Sequence, residues 1–240
     1  MSSTAKISKF AGIGYLIIFI TGIFSNFFVL ESMIVPGDAA ASVHNIMNND
    51  MLYRTGILSF IIMVVFDVVL AWAFYILLKP VSKNISLLAG WLRLVNSAIF
   101  GVALYNLFGV LRILSGAKYL KAFDPAQLNA RVMLSFDSFN DIWLIGLVFF
   151  GLHLFALGYL IIKSGYIPKF IGIFLVIAAV GYLTDSFANF LLPNYIDYKD
   201  IFLMIVVVPG VIGELSLTFW LLFKGVKDRL SESVFKHSES

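Results

Sequence analysis

Long apolar runs separated by short polar segments make up most of this chain. Six runs have about 20 residues or more, the length that an α-helix needs to cross the hydrocarbon core of a bilayer, ~30 Å thick. The runs cover roughly residues 10–30, 53–78, 87–114, 139–162, 170–192 and 201–223. Their apolar residues are continuous and do not alternate with polar ones, which argues against a transmembrane β-barrel. Because lipid offers the backbone no hydrogen-bonding partner, the pattern predicts an all-α, polytopic integral membrane protein with six transmembrane helices.

Polar segments on one side of the predicted membrane contain signals for additional helices. Asp38 follows a Pro–Gly turn and is a suitable N-cap for a short helix over residues 39–47. Asp124 precedes Pro125, and Gln127 completes a capping box, so a helix is predicted to start there and to run on into the fourth span. The outer face should therefore carry short extracytoplasmic helices. We predict a single transmembrane domain over residues 1–230 and a polar, disordered cytoplasmic tail over 231–240.

The composition supports a membrane protein and excludes several other classes. Hydrophobic residues make up 60% and charged residues 13% of the chain, whereas a soluble domain has about half and a quarter. The net charge of +3 comes from basic residues at the ends of apolar runs, so it indicates membrane anchoring rather than binding to nucleic acid. The chain has no cysteine, which excludes disulfides, Cys-ligated zinc and iron–sulfur clusters. The expected partner is the lipid bilayer, and no cofactor is predicted.

The distribution of lysines predicts an orientation in the membrane. Every second polar segment is basic, and its charges are those of Lys6, Lys9, Lys79, Lys83, Lys163, Lys169, Lys224, Lys227 and Arg229. Because positively charged loops stay in the cytoplasm, both termini are predicted to be cytoplasmic. The first run resembles a signal peptide but is too long for one, so we interpret it as an uncleaved first span.

Four ionisable residues lie deep inside the predicted spans. Arg93, His153 and Glu214 are each ten residues from a flanking lysine, which places them ~15 Å into the membrane at the helical rise. Asp67 is twelve residues before Lys79, or ~18 Å deep by the same rise. The four residues therefore share a layer near the midplane. Asn96 lies three residues after Arg93, on the same helical face.

Two interpretations of this layer remain open. A charge at the centre of a span costs at least ~2.5 kcal/mol, so such residues face the interior of the bundle and find partners. In the structural interpretation, Arg93 bridges Asp67 and Glu214 while His153 bonds a backbone carbonyl, and the network fixes helix register. In the functional interpretation, the same residues bind a proton or a ligand.

Polar residues also indicate a route from the outer side to this layer. Asp185 is about 24 Å from Lys169 by the helical rise, and Asn189 follows one turn later on the same face. In the sixth span, Pro209 and Gly210 precede Glu214, and a proline there frees a carbonyl and permits a kink. Broken helices near the midplane are common at transporter binding sites. We therefore include Asp185 and Asn189 in the candidate binding site.

The motifs of common membrane-bound and soluble enzymes are missing from the sequence. No lysine lies within a span, which excludes a retinal Schiff base, and a lone intramembrane histidine cannot form a three-histidine zinc site or a bis-histidine haem site. The sequence contains no nucleophile elbow, no Walker A motif and no dinucleotide-binding glycine motif. An intramembrane enzyme acting on lipid is the third hypothesis, without catalytic or metal-binding residues to assign.

Several stretches identify a family resemblance. They are FDVVLAWAFYILLKPV (66–81), LRLVNSAIFG (92–101), GLVFFGLHLFALGYLIIKSGYIPKFIG (146–172), GYLTDSFANFLLPNY (181–195) and GELSLTFWLLFKGV (213–226). From about residue 6 to 226 the chain resembles a bacterial family of six-span proteins, domain of unknown function 4386. The resemblance implies a multi-pass protein of the bacterial inner membrane but no mechanism. The leading hypothesis is binding or transport of a small solute or ion, including proton-linked transport, and the alternative is a non-catalytic accessory or structural module.

Overall fold

The part of the protein that the structure describes is almost entirely helical, with short loops between the helices. A computed structural model describes residues 3–226, and no β-strand occurs among them. The predicted disordered tail, residues 231–240, lies outside the described residues. In chain order the helices are α1 (Ser3–Ile23), a π-helical segment (Phe24–Leu30), α2 (Glu31–Met33), α3 (Ala39–Asn48), α4 (Asp50–Leu78), α5 (Lys83–Ile113), a 3-10 helix (Lys118–Ala122), α6 (Pro125–Ser164), α7 (Lys169–Leu191), a second 3-10 helix (Tyr195–Tyr198) and α8 (Lys199–Phe223).

The prediction of six membrane-spanning helices is confirmed. Within the described residues, six helices are long and apolar enough to cross a bilayer, and they cover Thr4–Met33, Asp50–Leu78, Lys83–Ile113, Pro125–Ser164, Lys169–Leu191 and Tyr195–Phe223. Most of them extend beyond the apolar runs, because polar flanking residues continue the helix at the ends of the hydrophobic segment. The fourth is longest, since the capped helix predicted at residue 125 runs without a break into the span.

Both helix starts that the capping residues predict are confirmed in detail. The Asp38 carboxylate accepts a hydrogen bond from the backbone N–H of Ala41 at 2.9 Å, and α3 follows it. Asp124 accepts from the backbone N–H of Gln127 at 2.8 Å, and the Gln127 side chain accepts from the N–H of Asp124 at 3.2 Å. The reciprocal pair satisfies two N–H groups at the start of α6 that no helical carbonyl can reach.

The first span contains a π-helical segment that the sequence does not predict. The Asn26 side chain donates to the carbonyl of Gly22 at 3.1 Å, and Ser25 donates to the carbonyl of Gly56 in α4 at 2.9 Å. A Cβ on Gly56 would lie only 2.7 Å from Val29. The wider turn thus coincides with a close approach of the first span to α4, and side chains bond carbonyls in this region.

The chain divides into two compact units, which are described separately. Unit 1 comprises, within the described residues, 3–16, 68–94 and 147–226, and unit 2 comprises 17–67 and 95–146. The division passes through α1, α4, α5 and α6, so these helices contribute residues to both units. The prediction of a single domain over residues 1–230 stays a prediction.

Glycines bring the helices of unit 1 close together. A Cβ on Gly158 in α6 would lie 2.7 Å from the carbonyl oxygen of Gly172 in α7, and the reverse contact has the same distance. In α7 and α8, a Cβ on Gly181 would lie 2.6 Å from the carbonyl oxygen of Ile205. Lipid chains are as apolar as the helices, so close packing between small residues is a main source of helix association in membranes.

Aromatic side chains form the core of unit 2. The Phe100 and Trp143 rings are stacked with their centroids 3.7 Å apart, and Phe60 packs edge-on against Trp143. Tyr53 is fully buried and donates its hydroxyl proton to the carbonyl of Leu107 at 3.1 Å. The hydroxyl group of Tyr53 is therefore satisfied in an apolar interior, as burial requires.

Candidate functional site

A buried arginine is the centre of the polar interior of unit 1. Arg93 in α5 is 0% exposed. Its Nη1 donates to the Tyr15 hydroxyl at 3.3 Å and to His153 Nε2 at 3.0 Å. The guanidinium carbon lies 5.1 Å from the centroid of the Tyr15 ring and 5.6 Å from that of Phe150. Two aromatic faces and two hydrogen bonds thus surround the cation, which offsets part of the cost of removing it from water.

The partners of His153 define its protonation state. Its Nδ1 lies 2.8 Å from the carbonyl oxygen of Ala89, which can only accept a hydrogen bond. Nδ1 therefore carries a proton, and Nε2 faces the N–H donor of Arg93 and must accept. Both nitrogens are engaged only in the neutral ring with its proton on Nδ1. A second proton on Nε2 would oppose the Arg93 donor, so this contact disfavours the charged histidine.

Glu214 lies in the same unit, near Gly210 of α8. Because this glycine has no side chain, space remains between it and Glu214. The glutamate is 8% exposed. A methyl group on Gly210 would lie 3.7 Å from the Tyr182 hydroxyl oxygen and 3.8 Å from Glu214 Oε1, both at ordinary contact distance. The free side of Gly210 is therefore lined by a phenol oxygen and a carboxyl oxygen. Tyr182 packs edge-on against Phe150, with centroids 5.2 Å apart, and Phe150 also contacts Arg93.

The proline before this glycine changes the backbone of α8. Pro209 has no N–H, so it cannot bond the carbonyl of Ile205 one turn earlier. That carbonyl packs against Gly181 of α7, where a Cβ would be only 2.6 Å away. Pro209 leaves the Ile205 carbonyl without its helical partner. Because residue 181 is a glycine, this carbonyl can approach α7 closely. This contact holds α7 and α8 together next to Tyr182.

Asp185 and Asn189, the other two residues of the candidate site in unit 1, both lie beside Tyr195. Asp185 Oδ1 accepts a hydrogen bond from the Tyr195 hydroxyl at 2.6 Å. The Asn189 side chain lies next to the same hydroxyl. Tyr195 in turn stacks on Phe202 of α8, with centroids 5.4 Å apart. Asp185 therefore bonds a tyrosine that follows α7, and Asn189 lies next to that tyrosine.

Unit 2 contains the two remaining residues of the candidate site, Asp67 and Asn96. Asp67 is buried at 3% exposure, and Asn96 is fully buried. Among the described residues, neither polar atom of the Asn96 side chain has a hydrogen-bond partner. A Cβ on Gly146 would lie 3.3 Å from Asn96 Oδ1 and 2.6 Å from the Phe100 ring, so the amide is enclosed by close packing.

Sequence reasoning missed the aromatic residues of the site. Tyr15, Phe150, Tyr182 and Tyr195 make the contacts described above, yet none is among the predicted site residues. Aromatic residues are frequent in membrane spans, and the sequence does not show which rings face an arginine. The one available signal was a tyrosine far from either end of its span, as Tyr15 and Tyr182 are, because a hydroxyl at that depth needs a protein partner.

Comparison with known proteins provides a family for this chain. Residues 10–225 match the family described as Domain of unknown function (DUF4386). A protein of Archaeoglobus fulgidus, described as "Uncharacterized protein", is 35% identical over 178 residues, which cover 74% of this chain and 87% of the relative. No solved structure matches the chain. The family match covers most of the described residues, including every residue of the candidate site, and the chain therefore belongs to the DUF4386 family.

Proposed function

We propose that the protein binds a proton or a small cation at Glu214 and uses this site to transport an ion or a proton-linked solute across the membrane. Glu214 would be the ionisable contact and Tyr182 would line the site. Arg93 and His153 would hold the surrounding helices, and Asp185 with Asn189 would form the outer entrance. The predictions that Asp67 and Asn96 take part in binding stay predictions of the sequence.

The observation that carries this proposal is the gap beside Gly210. A carboxyl and a phenol oxygen approach the same methyl-sized space inside a span. An ionised carboxylate at this depth is costly, and a bound proton or cation removes that cost. A single methyl group would already be in contact with both oxygens, which favours a proton or a small ion over a large solute at this position.

The location follows from the family resemblance and the charge pattern. We propose the bacterial cytoplasmic membrane, with both termini in the cytoplasm, because the basic residues lie in alternate loops.

Thermal unfolding of the purified protein in lipid nanodiscs tests the binding site. Unfolding would be followed across a pH series and with salts of lithium, sodium, potassium and magnesium. A ligand of the folded state stabilises it by about 2.7 kcal/mol at a concentration 100-fold above its Kd. We expect saturable stabilisation in the parent protein and its loss in Glu214→Gln, because the amide cannot ionise.

A pair of glycine variants provides the matched control. Gly210→Ala fills the gap at ordinary contact distances, so it should fold and lose ligand stabilisation. Gly101→Ala adds the same methyl group to a helix where nothing lies within 4 Å, so it should keep the ligand response. Equal ligand stabilisation in all four proteins would contradict the proposal, because the ligand would then bind elsewhere.

One observation favours a second candidate, a non-catalytic accessory or structural module. Both ring nitrogens of His153 and the Nη1 of Arg93 already have partners within the protein. If no ligand stabilises the parent protein, and Glu214→Gln leaves its stability and cellular role unchanged, this second function is favoured.

A further inference from the structure

A cleft lies at the basic end of the helices in unit 1, apart from the site around Glu214. Its volume is about 710 Å³, which is within the usual range for ligand pockets, ~300–1,000 Å³. The loop between α6 and α7 forms one wall and the end of α8 forms the other. The side chains that line it include Tyr166, Pro168, Lys169, Trp220, Phe223 and Lys224.

Hydrogen bonds hold both walls of the cleft. The Tyr166 hydroxyl donates to the carbonyl of Leu77 at 2.7 Å. Burial raises the pKa of Tyr166 to about 12, so the hydroxyl keeps its proton at physiological pH. On the other wall, the N–H of Gly225 bonds the carbonyl of Trp220 at 2.8 Å, and the N–H of Val226 bonds Ser8 Oγ at 3.0 Å. The cleft is therefore formed by the fold before any ligand binds.

The charge of the cleft is positive. Lys169 and Lys224 are both exposed, and none of the residues from 3 to 226 that line the cleft is acidic. Neither lysine forms a salt bridge with another residue in the range 3–226. Two ammonium groups on one concave surface repel each other, and an anion between them removes that repulsion. The cleft is therefore suited to a negatively charged ligand.

Its position indicates where that anion comes from. The cleft lies where α6 ends, α7 begins and α8 ends, so in a bilayer that these helices span it would face the headgroups. Tryptophan, tyrosine and lysine together are typical of this interface. Phe223 is 82% exposed beside the cleft, so an apolar surface adjoins the charged one. A ligand with an anionic head and an apolar tail matches both surfaces.

We propose that this cleft binds the headgroup of an anionic phospholipid, with Lys169 and Lys224 contacting its phosphate and Phe223 contacting an acyl chain. The site lies at the membrane surface and does not depend on ion binding at Glu214. It would anchor the basic end of α7 and α8 to one leaflet of the bilayer.

Quenching of tryptophan fluorescence measures this binding, because Trp220 lines the cleft. The full-length protein would be reconstituted in phosphatidylcholine vesicles that contain increasing fractions of phosphatidylglycerol with brominated acyl chains. We expect saturable quenching in the parent protein. In the double variant Lys169→Gln/Lys224→Gln, the binding constant should fall by more than roughly tenfold, because each lysine loses a charge-assisted contact with the phosphate. Trp220→Phe should remove the saturable part of the quenching.

The matched control is Lys79→Gln/Lys83→Gln, which removes the same charge from exposed lysines outside the cleft. It should bind within twofold of the parent protein, on the order of the effect of screened surface charges. An equal loss in both double variants would overturn the proposal, since general attraction to the vesicle surface would explain it. Unchanged saturable quenching in Trp220→Phe would also overturn it. Displacement of the lipid by millimolar inorganic phosphate would show a free-anion site and contradict a lipid site.

Discussion

At the scale of single residues, Arg93 combines hydrogen bonds from one nitrogen with the contact of its flat guanidinium group against two aromatic rings. Its Nη1 reaches both Tyr15 and His153, while the rings of Tyr15 and Phe150 lie within 5.6 Å of the guanidinium carbon. A lysine ammonium is a compact point charge and cannot place donors and a flat face in the same way. The residue type at this position is thus set by geometry as well as by charge.

His153→Leu should destabilise the protein by about 2 kcal/mol, because it leaves a donor on Arg93 and the carbonyl of Ala89 without their partner. Thermal unfolding in nanodiscs would measure the change. The control is Leu152→Ala, next in sequence but 40% exposed, where we expect less than about 1 kcal/mol. If the two variants unfold at the same temperature, the hydrogen bonds of His153 do not contribute to stability.

At this scale the sequence shows which residue types are costly in lipid. The ionisable residues Arg93, His153, Asp185 and Glu214 lie in unit 1 and Asp67 lies in unit 2, and their role in binding stays a prediction. Arg93 and His153 lie on two different helices, and 60 positions in the chain separate these two residues that are in contact. A single sequence contains no record of which faces of α5 and α6 meet, so the partners themselves could not be predicted.

At the scale of helices, glycine positions decide where the spans of unit 1 touch. Gly158 and Gly172 approach each other's carbonyl groups, and Gly181 allows the carbonyl of Ile205 to pack against α7. The helices can approach closely at these positions because glycine has only a hydrogen atom where other residues have a Cβ. The sequence shows the glycines but does not show which helix each one faces.

Gly158→Ala should be clearly destabilising, by about 1–3 kcal/mol, because its Cβ would lie 2.7 Å from a backbone oxygen that cannot move aside alone. Thermal unfolding in nanodiscs measures the effect. Gly101→Ala serves as the control, since nothing lies within 4 Å and alanine favours the helix by about 0.5–1 kcal/mol. A Gly158→Ala protein as stable as the Gly101→Ala protein would mean that α6 and α7 do not pack closely there.

At the scale of the whole molecule, the alternation of basic and acidic loops predicts the orientation. The chain has no cysteine, so one introduced cysteine reports its own location. The two test variants are Asn84→Cys and Ala126→Cys. Position 84 lies in a basic segment, position 126 lies at the start of α6, and both positions are exposed.

We expect a membrane-impermeant maleimide to label Ala126→Cys in intact cells and to label Asn84→Cys only after the cells are opened. The parent protein, without cysteine, is the control for background labelling. If Asn84→Cys alone were labelled in intact cells, the predicted orientation would be wrong and the opposite one would be correct.

The sequence by itself determined the helical class, the six spans and the two capped helix starts, because these features depend on local properties. The length of an apolar run, the reach of Asp38 and Asp124 to nearby N–H groups, and the cost of charge in lipid act within one helix or turn. The tertiary structure alone decided the π-helical segment, the rings around Arg93, the gap beside Gly210 and the cleft between Lys169 and Lys224. Each of these depends on which faces of distant helices meet, and that choice results from packing between residues that are far apart in the sequence.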